Sequence, residues 1–193
     1  MINQLVLKNR SYRRFYEDDA IERDTLEIWV NLARLSPSAA NLQPLRFFLS
    51  HQSDTNHIIF PKLSWAGYLK DWPGPSDGER PAAYIIILAD TNSPKPAEFD
   101  TGIAAQSILL GAVEAGYGGC IVGSVKKDEL ATALSIPKNL KIMLVLALGK
   151  PREKVVIEDM QDNEDIHYWR DANNIHHVPK RKLSDLIINP DKP

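Results

Sequence analysis

Residues 9–15 read NRSYRRF and bring the guanidinium groups of Arg10, Arg13 and Arg14 together with the hydroxyl of Ser11. Guanidinium forks match the oxygens of a phosphate, and a neighbouring serine adds a compact donor, so this spacing suits a bound phosphoryl group. It equally suits a solvated basic turn whose charges pair with Glu17, Asp18 and Asp19 just downstream. A second stretch, SPSAANLQPLR at residues 36–46, presents the hydroxyl of Ser38 and the amides of Asn41 and Gln43, with Ala39 and Ala40 small enough for main chain to approach a polar ring. Taken alone it could also be a helix end followed by Asx and proline turns, a reading in which Gln43 has no part. The third stretch, GYGGC at residues 116–120, either exposes N–H groups to a ligand or supplies a glycine helix cap. It closes a helix, whereas a dinucleotide GxGxxG follows a strand and opens one.

Other chemistries find little support. His167, His176 and His177 lie in a segment of alternating pattern, where strand geometry sends neighbouring residues to opposite faces and gives no metal-ligand spacing. The single cysteine, Cys120, begins an apolar strand and has no Cys-His motif beside it. Neither a paired-carboxylate signal nor G-x-S-x-G is present, which directs attention to chemistry supplied by a cofactor.

The elements that must position these residues follow from periodicity. A short helix is expected to end near Asn9. A second opens with Asp24 and Glu27 at capping-box spacing, carries Leu26, Trp29, Val30 and Ala33 as its apolar stripe, and stops at Pro37. RFFLS at 46–50 is a strand. Residues 61–81, rich in proline and glycine and bearing Trp65, Tyr68 and Trp72, form an excursion with room for a brief helix around WAGYLK. AYIIILAD at 83–90 is an apolar β-branched run for a central strand. Residues 100–116 form a helix whose small and apolar residues cover nearly its whole circumference, so a second wall, expected from another subunit, must bury it. CIVGSV is a strand, KKDELATALSI a helix and KIMLVLALG a second central strand. The tail reads as a hairpin around DANN with a short helix from about Lys182.

The 193 residues, 44% hydrophobic and 25% charged, suit one folded domain. A net charge of −2 provides no general basic field for nucleic acid, so an anionic ligand needs a local cluster. One cysteine excludes an internal disulfide and fits a reducing compartment. With no leader-like start and no apolar run of membrane-spanning length, a cytoplasmic protein without membrane contact is expected.

NRSYRRF, PSAANLQP, DTGIAAQSILLGAVEAGYGGC and ALGKPREK, in this order over residues 2–154, resemble the FMN-dependent nitroreductase family, and KRKL resembles its C-terminal motif. The resemblance implies an α+β, three-layer fold with a mixed, mostly antiparallel central sheet flanked by helices, built into an intertwined homodimer. It implies one domain over residues 1–193, with 155–193 an extension packing on the partner subunit. Carried over by position, Arg10, Ser11 and Arg13 would hold the FMN phosphate and ribityl chain, with Arg181 near the phosphate. Pro37, Ser38, Ala39, Asn41 and Gln43 would reach the flavin from the other subunit, and Gly118 and Gly119 would lie by the isoalloxazine ring. The implied reaction is ping-pong hydride transfer from NADH or NADPH through flavin N5 to a nitroaromatic, quinone or similar small acceptor. It needs no metal and no catalytic side chain. The excursion at 61–81 matches no pattern of the family, and its Trp65, Tyr68 and Trp72 suit either a cap on the pocket or plain packing. Two alternatives keep the flavin: a binding or storage protein without turnover, and other reductive chemistry such as dehalogenation.

Overall fold

A computed structural model of the chain describes residues 1–161 and 165–188. These form two compact units, one of Met1–Trp65 with Pro73–Arg152, the other of Ala66–Trp72 with the chain from Glu153 onward.

The first unit is organised by its most apolar segment. β-branched residues fit a pleated surface, and Ala83–Asp90 forms a strand, β3, in which all but the final Asp90 are buried. It lies between β2 (Leu45–Ser50) and the long β5 (Leu140–Pro151). The far edge of β5 pairs with β4 (Gly118–Val122), and its end with the two-residue β1 (Phe15–Tyr16). Every ladder of this five-stranded sheet is antiparallel.

Alternation along the strands sends Ala83, Ile85 and Ile87 to one face. There, with Leu146 and Leu148, they meet Leu26 and Trp29 of helix α2 (Arg23–Leu35) and Ala104, Ala105, Ile108, Leu109 and Ala112 of helix α4 (Glu98–Glu114). Each fully buried isoleucine contributes about 1.5–3 kcal/mol of transfer free energy. Helix α1 (Ile2–Lys8) also packs against α4. α3 (Ser53–Ile59) and α5 (Lys127–Ala133) pack together, and α5 lies against β5.

Gly111 allows α2 and α4 to approach closely, since a Cβ there would stand 2.4 Å from Leu32 Cδ1. Leu109 and Ala105 therefore face the core of their own chain. The side chains that α4 leaves outside include Phe99, 82% exposed, and Ile103. The expected second wall thus has to cover one face of the helix only, because the sheet and α2 already provide the rest.

Three local expectations change. α2 begins one residue before Asp24, with Glu22 as its N-cap and no side-chain cap bond; Asp24 sits in the first turn, where a carboxylate favours the helix dipole, and Arg23 pairs with Glu27 at 2.8 Å. The WAGYLK segment forms turns, with Leu69 N–H bonded to Ala66 C=O, because so short a piece cannot repay helix nucleation. GYGG is divided between two roles. Gly116, at φ +82°, ends α4 in a Schellman motif, its N–H on Val113 C=O and that of Tyr117 on Ala112 C=O, whereas Gly118 and Gly119 already belong to β4.

In the second unit, β6 (Val155–Asp159) pairs in parallel with β8 (His176–Lys180), which pairs antiparallel with β7 (Trp169–Arg170). The DANN turn closes the expected hairpin: Asp171 Oδ1 accepts from the N–H groups of Asn173 and Ile175, and Asn174 takes a φ of +59°. The parallel β6 was not legible, since its partner lies about twenty residues away. α6 (Leu183–Leu186) follows. His176 is buried while the ring of His177 stacks on Trp169 at 4.1 Å and meets Glu158 and Asp171.

Candidate functional site

The arginine cluster is placed by the end of α1 and the free edge of β4. Asn9 leaves the helix in an extended conformation, and its amide donates to Gln106 Oε1 on α4 at 3.2 Å. The chain then runs alongside β4: Ser11 forms a parallel bridge with Gly119, and Tyr12 N–H donates to Gly119 C=O at 3.0 Å. Arg10 Nη2 donates to Val6 C=O at 2.7 Å, satisfying a carbonyl near the end of α1. Its Nε is buried and has no partner among the described residues. Arg13 is 9% exposed and donates to Ser11 C=O at 3.2 Å, while Ser11 itself is exposed.

Arg14 has a different task. It forms a two-pronged ion pair with the buried Glu79, Nε to Oε2 at 2.8 Å, and this hydrogen bond holds the carboxyl below the usual carboxylate range. Two of the acidic residues just downstream have partners elsewhere. Glu17 accepts from the backbone N–H groups of Gly78 and Arg80, and Asp19 pairs with Lys150 at 3.0 Å.

Gly118 and Gly119 lie beside this cluster and are buried. A Cβ on Gly118 would come within 2.6 Å of the Tyr12 ring, and one on Gly119 within 2.7 Å of both Ala147 O and Leu109 Cδ2. Their lack of side chains is thus required by packing within the chain.

The loop after α2 is held in another way. Ser36 caps the helix end and shares a 2.8 Å hydrogen bond with Ser107 of α4. Ala39–Asn41 makes a single 3₁₀ turn, and Ala40, Asn41 and Gln43 have φ of +50°, +54° and +48°. Left-handed backbone costs a non-glycine residue about 1–2 kcal/mol, so this loop stores strain. Opposing it, Ser38 Oγ accepts from Gln43 N–H at 2.9 Å, Ser38 C=O from Asn41 N–H, and Asp100 Oδ1 from Ala39 N–H at 3.2 Å. Asn41 and Gln43 remain exposed. Beside the loop is a cavity of about 210 Å³ lined by Pro37, Ser38, Gln43, Arg46, Asp100 and Ile103 among others.

Asp100 is the residue that motif reading missed. It is 4% exposed, and the signal available in the sequence was an aspartate inside the first turn of an otherwise apolar helix. It anchors the loop at the start of α4, whereas Gly119 packs on Leu109, nine residues further along. At 1.5 Å per residue the two halves are offset by about 13 Å along the helix.

The remaining expected residues divide between the two units. Arg181 is exposed in the second unit. Trp65 is 9% exposed and packs over Gly74, where a Cβ would meet its ring at 2.6 Å, so it is a core residue of the first unit. Tyr68 and Trp72 belong to the second unit: Tyr68 contacts His167 and Tyr168, and Arg170 lies 4.5 Å over the Trp72 ring. Among the described residues, no group of His, Cys, Asp and Glu could hold a metal ion, and no helix is long and apolar enough to cross a membrane.

The fold is thus an α+β sheet layered with helices, with an arginine-serine segment on a strand edge and a polar loop anchored on a long apolar helix. The nitroreductase family model matches residues 6–150, and the chain belongs to that family. A protein of Methanothermobacter thermautotrophicus, provisionally named NADH dehydrogenase/NAD(P)H nitroreductase, is 26% identical over 168 residues, covering 83% of each chain. Among solved structures, a nitroreductase family protein of Clostridium difficile 630 superposes with a TM-score of 0.65 at 22% identity, covering 97% of this chain and 96% of the other. A provisionally named nitroreductase of Exiguobacterium sibiricum, solved in complex with FMN, gives 0.65 at 19% identity over 79% of this chain and 89% of its own.

Proposed function

We propose that the protein is an FMN-dependent NAD(P)H oxidoreductase that works as a homodimer in the cytoplasm, with its flavin sites between the two copies. The observation that carries this reading is the buried, unpartnered Nε of Arg10 beside the exposed hydroxyl of Ser11. An orphaned guanidinium N–H is costly, and a phosphate oxygen would satisfy it with a charge-assisted bond. Arg10, Ser11 and Arg13 hold the phosphate and ribityl chain, and Gly118 and Gly119 form the wall beside the ring. The partner copy's loop supplies its own Pro37, Ser38, Ala39, Asn41 and Gln43 to the polar edge of the ring.

The offset of the two halves along α4 supports a shared site, as do the exposed apolar side chains around them: Ile28, Leu32 and Leu35 on α2, Ile2 and Val6 on α1, and Phe99 and Ile103 on α4. Such a patch on a soluble chain marks an interface. The described part of the expected extension, 155–161 and 165–188, packs on the partner; 162–164 and 189–193 lie outside the described residues.

FMN held by these residues would supply hydride transfer from NADH or NADPH to a nitroaromatic, quinone or similar acceptor in a ping-pong cycle. The protein's own residues position the ring, shield it from water and place donors where negative charge develops. No side-chain acid or base is assigned.

The deciding measurement is an absorbance spectrum of the purified protein before and after anaerobic NADH, and then NADPH. Flavin bands that bleach and recover on adding a nitroaromatic or quinone are expected; bands that never bleach would leave a binding protein, and no flavin after FMN addition would overturn the reading. Phe99→Glu should give a folded monomer that has lost its flavin, checked by sedimentation; an intact yellow dimer would exclude that face.

A further inference from the structure

The 210 Å³ cavity beside the loop combines an apolar wall with an excess of positive charge. The wall consists of Leu45 and Phe47 of β2 and Ile103 and Ala104 of α4. An apolar cavity of about 150 Å³ takes up benzene, so this one has room for a single ring and a substituent. Three charged residues belong to the lining: Arg34 of α2, Arg46 of β2 and Asp100 of α4. Two guanidinium groups against one carboxylate leave the lining net positive.

Neither arginine is neutralised. Arg14, Arg23 and Arg80 are paired with Glu79, Glu27 and Asp77, but among the described residues Arg34 and Arg46 form no ion pair. Asp100 pairs with neither of them; its Oδ1 is taken by Ala39 N–H at 3.2 Å. Both guanidinium groups are nevertheless held. Arg46 Nη1 donates to Gln43 C=O at 3.1 Å and to Leu45 C=O at 2.7 Å, and Arg34 Nε donates to Asn31 Oδ1 at 2.7 Å. Groups already oriented lose less entropy when a ligand arrives.

The edge that Arg46 leaves unused defines the ligand. With Nη1 occupied, the fork formed by Nε and Nη2 carries no hydrogen bond among the described residues. Arg14 uses this same pair of nitrogens to take both oxygens of Glu79. The vacant fork of Arg46 therefore has the form of a carboxylate receptor.

We infer that this cavity binds a small planar acid, its ring on the apolar wall and its carboxylate on the Nε–Nη2 fork of Arg46, with Arg34 adding attraction from α2. This rests on the proposed flavin site, whose polar loop supplies Pro37, Ser38 and Gln43 to the same cavity. The acceptors it favours are then anionic.

Three probes of one shape and different charge test the site. 4-Nitrobenzoate, 4-nitrobenzamide and 4-nitrobenzamidine are titrated by calorimetry into the full-length, FMN-loaded protein at low and at high salt. The benzoate should bind about two- to tenfold tighter than the amide, the range of a partly solvated charge-assisted contact. Added salt should shrink that advantage. Arg46→Gln and Arg34→Gln should each remove most of it and leave the amide's affinity unchanged. Arg34 makes no bond to the loop, so its variant separates lost charge from a displaced loop.

Equal or tighter binding of the amide or the amidine would overturn the inference, as would a benzoate preference that neither substitution changes, or no saturable binding of any probe. A KM for NADPH that rises in both variants, with the probe preference unmoved, would instead assign the arginines to the nucleotide phosphate. Anaerobic NADH added to the same sample tests the flavin reading separately. Flavin that fails to bleach while the charge preference holds would sink the oxidoreductase and leave the acid site standing; bleaching without the preference would do the reverse.

Discussion

The arginine-glycine segment along β4 and the polar loop at the start of α4 are two halves of one candidate site, yet they are held by opposite means. The first is fixed by main chain: a strand bridge at Ser11 and Gly119, with buried glycines pressed against Tyr12 and Leu109. Its side chains are free to specialise, so Arg14 serves structure through Glu79 while Arg10 keeps an unsatisfied donor. The loop is fixed by side chains, those of Ser38 and Asp100, which hold three left-handed non-glycine residues in place. A main-chain support tolerates most substitutions except added bulk; a side-chain support fails when one oxygen is removed.

That contrast can be broken from either side. The largest effect is expected for Gly119→Val, whose side chain would overlap Ala147 O and Leu109 and cost about 3 kcal/mol or more in a urea unfolding curve. A loss below 1 kcal/mol (about the worth of one hydrogen bond) would show that β4 yields. Asp100→Ala should cost about 1–3 kcal/mol by stranding the Ala39 N–H, and should release flavin through the loop. Asp100→Asn, retaining an acceptor, should recover most of both losses.

Arg10→Ala should act on affinity instead. A charge-assisted bond is worth about 1.5–3 kcal/mol, so the FMN dissociation constant should rise roughly ten- to a hundredfold in a fluorescence titration, with the unfolding midpoint little changed. The smallest effect has the opposite sign: Ala40→Gly relieves a φ of +50° and should raise stability by about 0.5–1 kcal/mol. A destabilised Ala40→Gly variant would mean that the loop is not strained in solution.

Legibility in the sequence followed the range of the interactions. The strand at 83–90, the helix expected at 100–116 and found at 98–114, and the DANN hairpin were readable because periodicity and turn chemistry act between near neighbours. The helix start was misplaced by two residues: the N-cap is Glu22, without a side-chain cap bond, and Asp24 lies inside the first turn. Asp100 was overlooked because its value lies in a partner, Ala39, some sixty positions earlier. Trp65 looked like a pocket cap until Gly74 was seen beneath its ring.

By itself, the sequence determined the apolar core strands, the helices α2 and α4 and the presence of an arginine-serine cluster and a polar loop, because each is a property of residues close in the chain. Tertiary structure alone decided which arginine is consumed by Glu79, which face of α4 remains outside, and that Ser11 lies on Gly119 while Ala39 lies on Asp100. Those outcomes depend on contacts between distant segments, whose pairing is settled only when the sheet and its helices close around a common core.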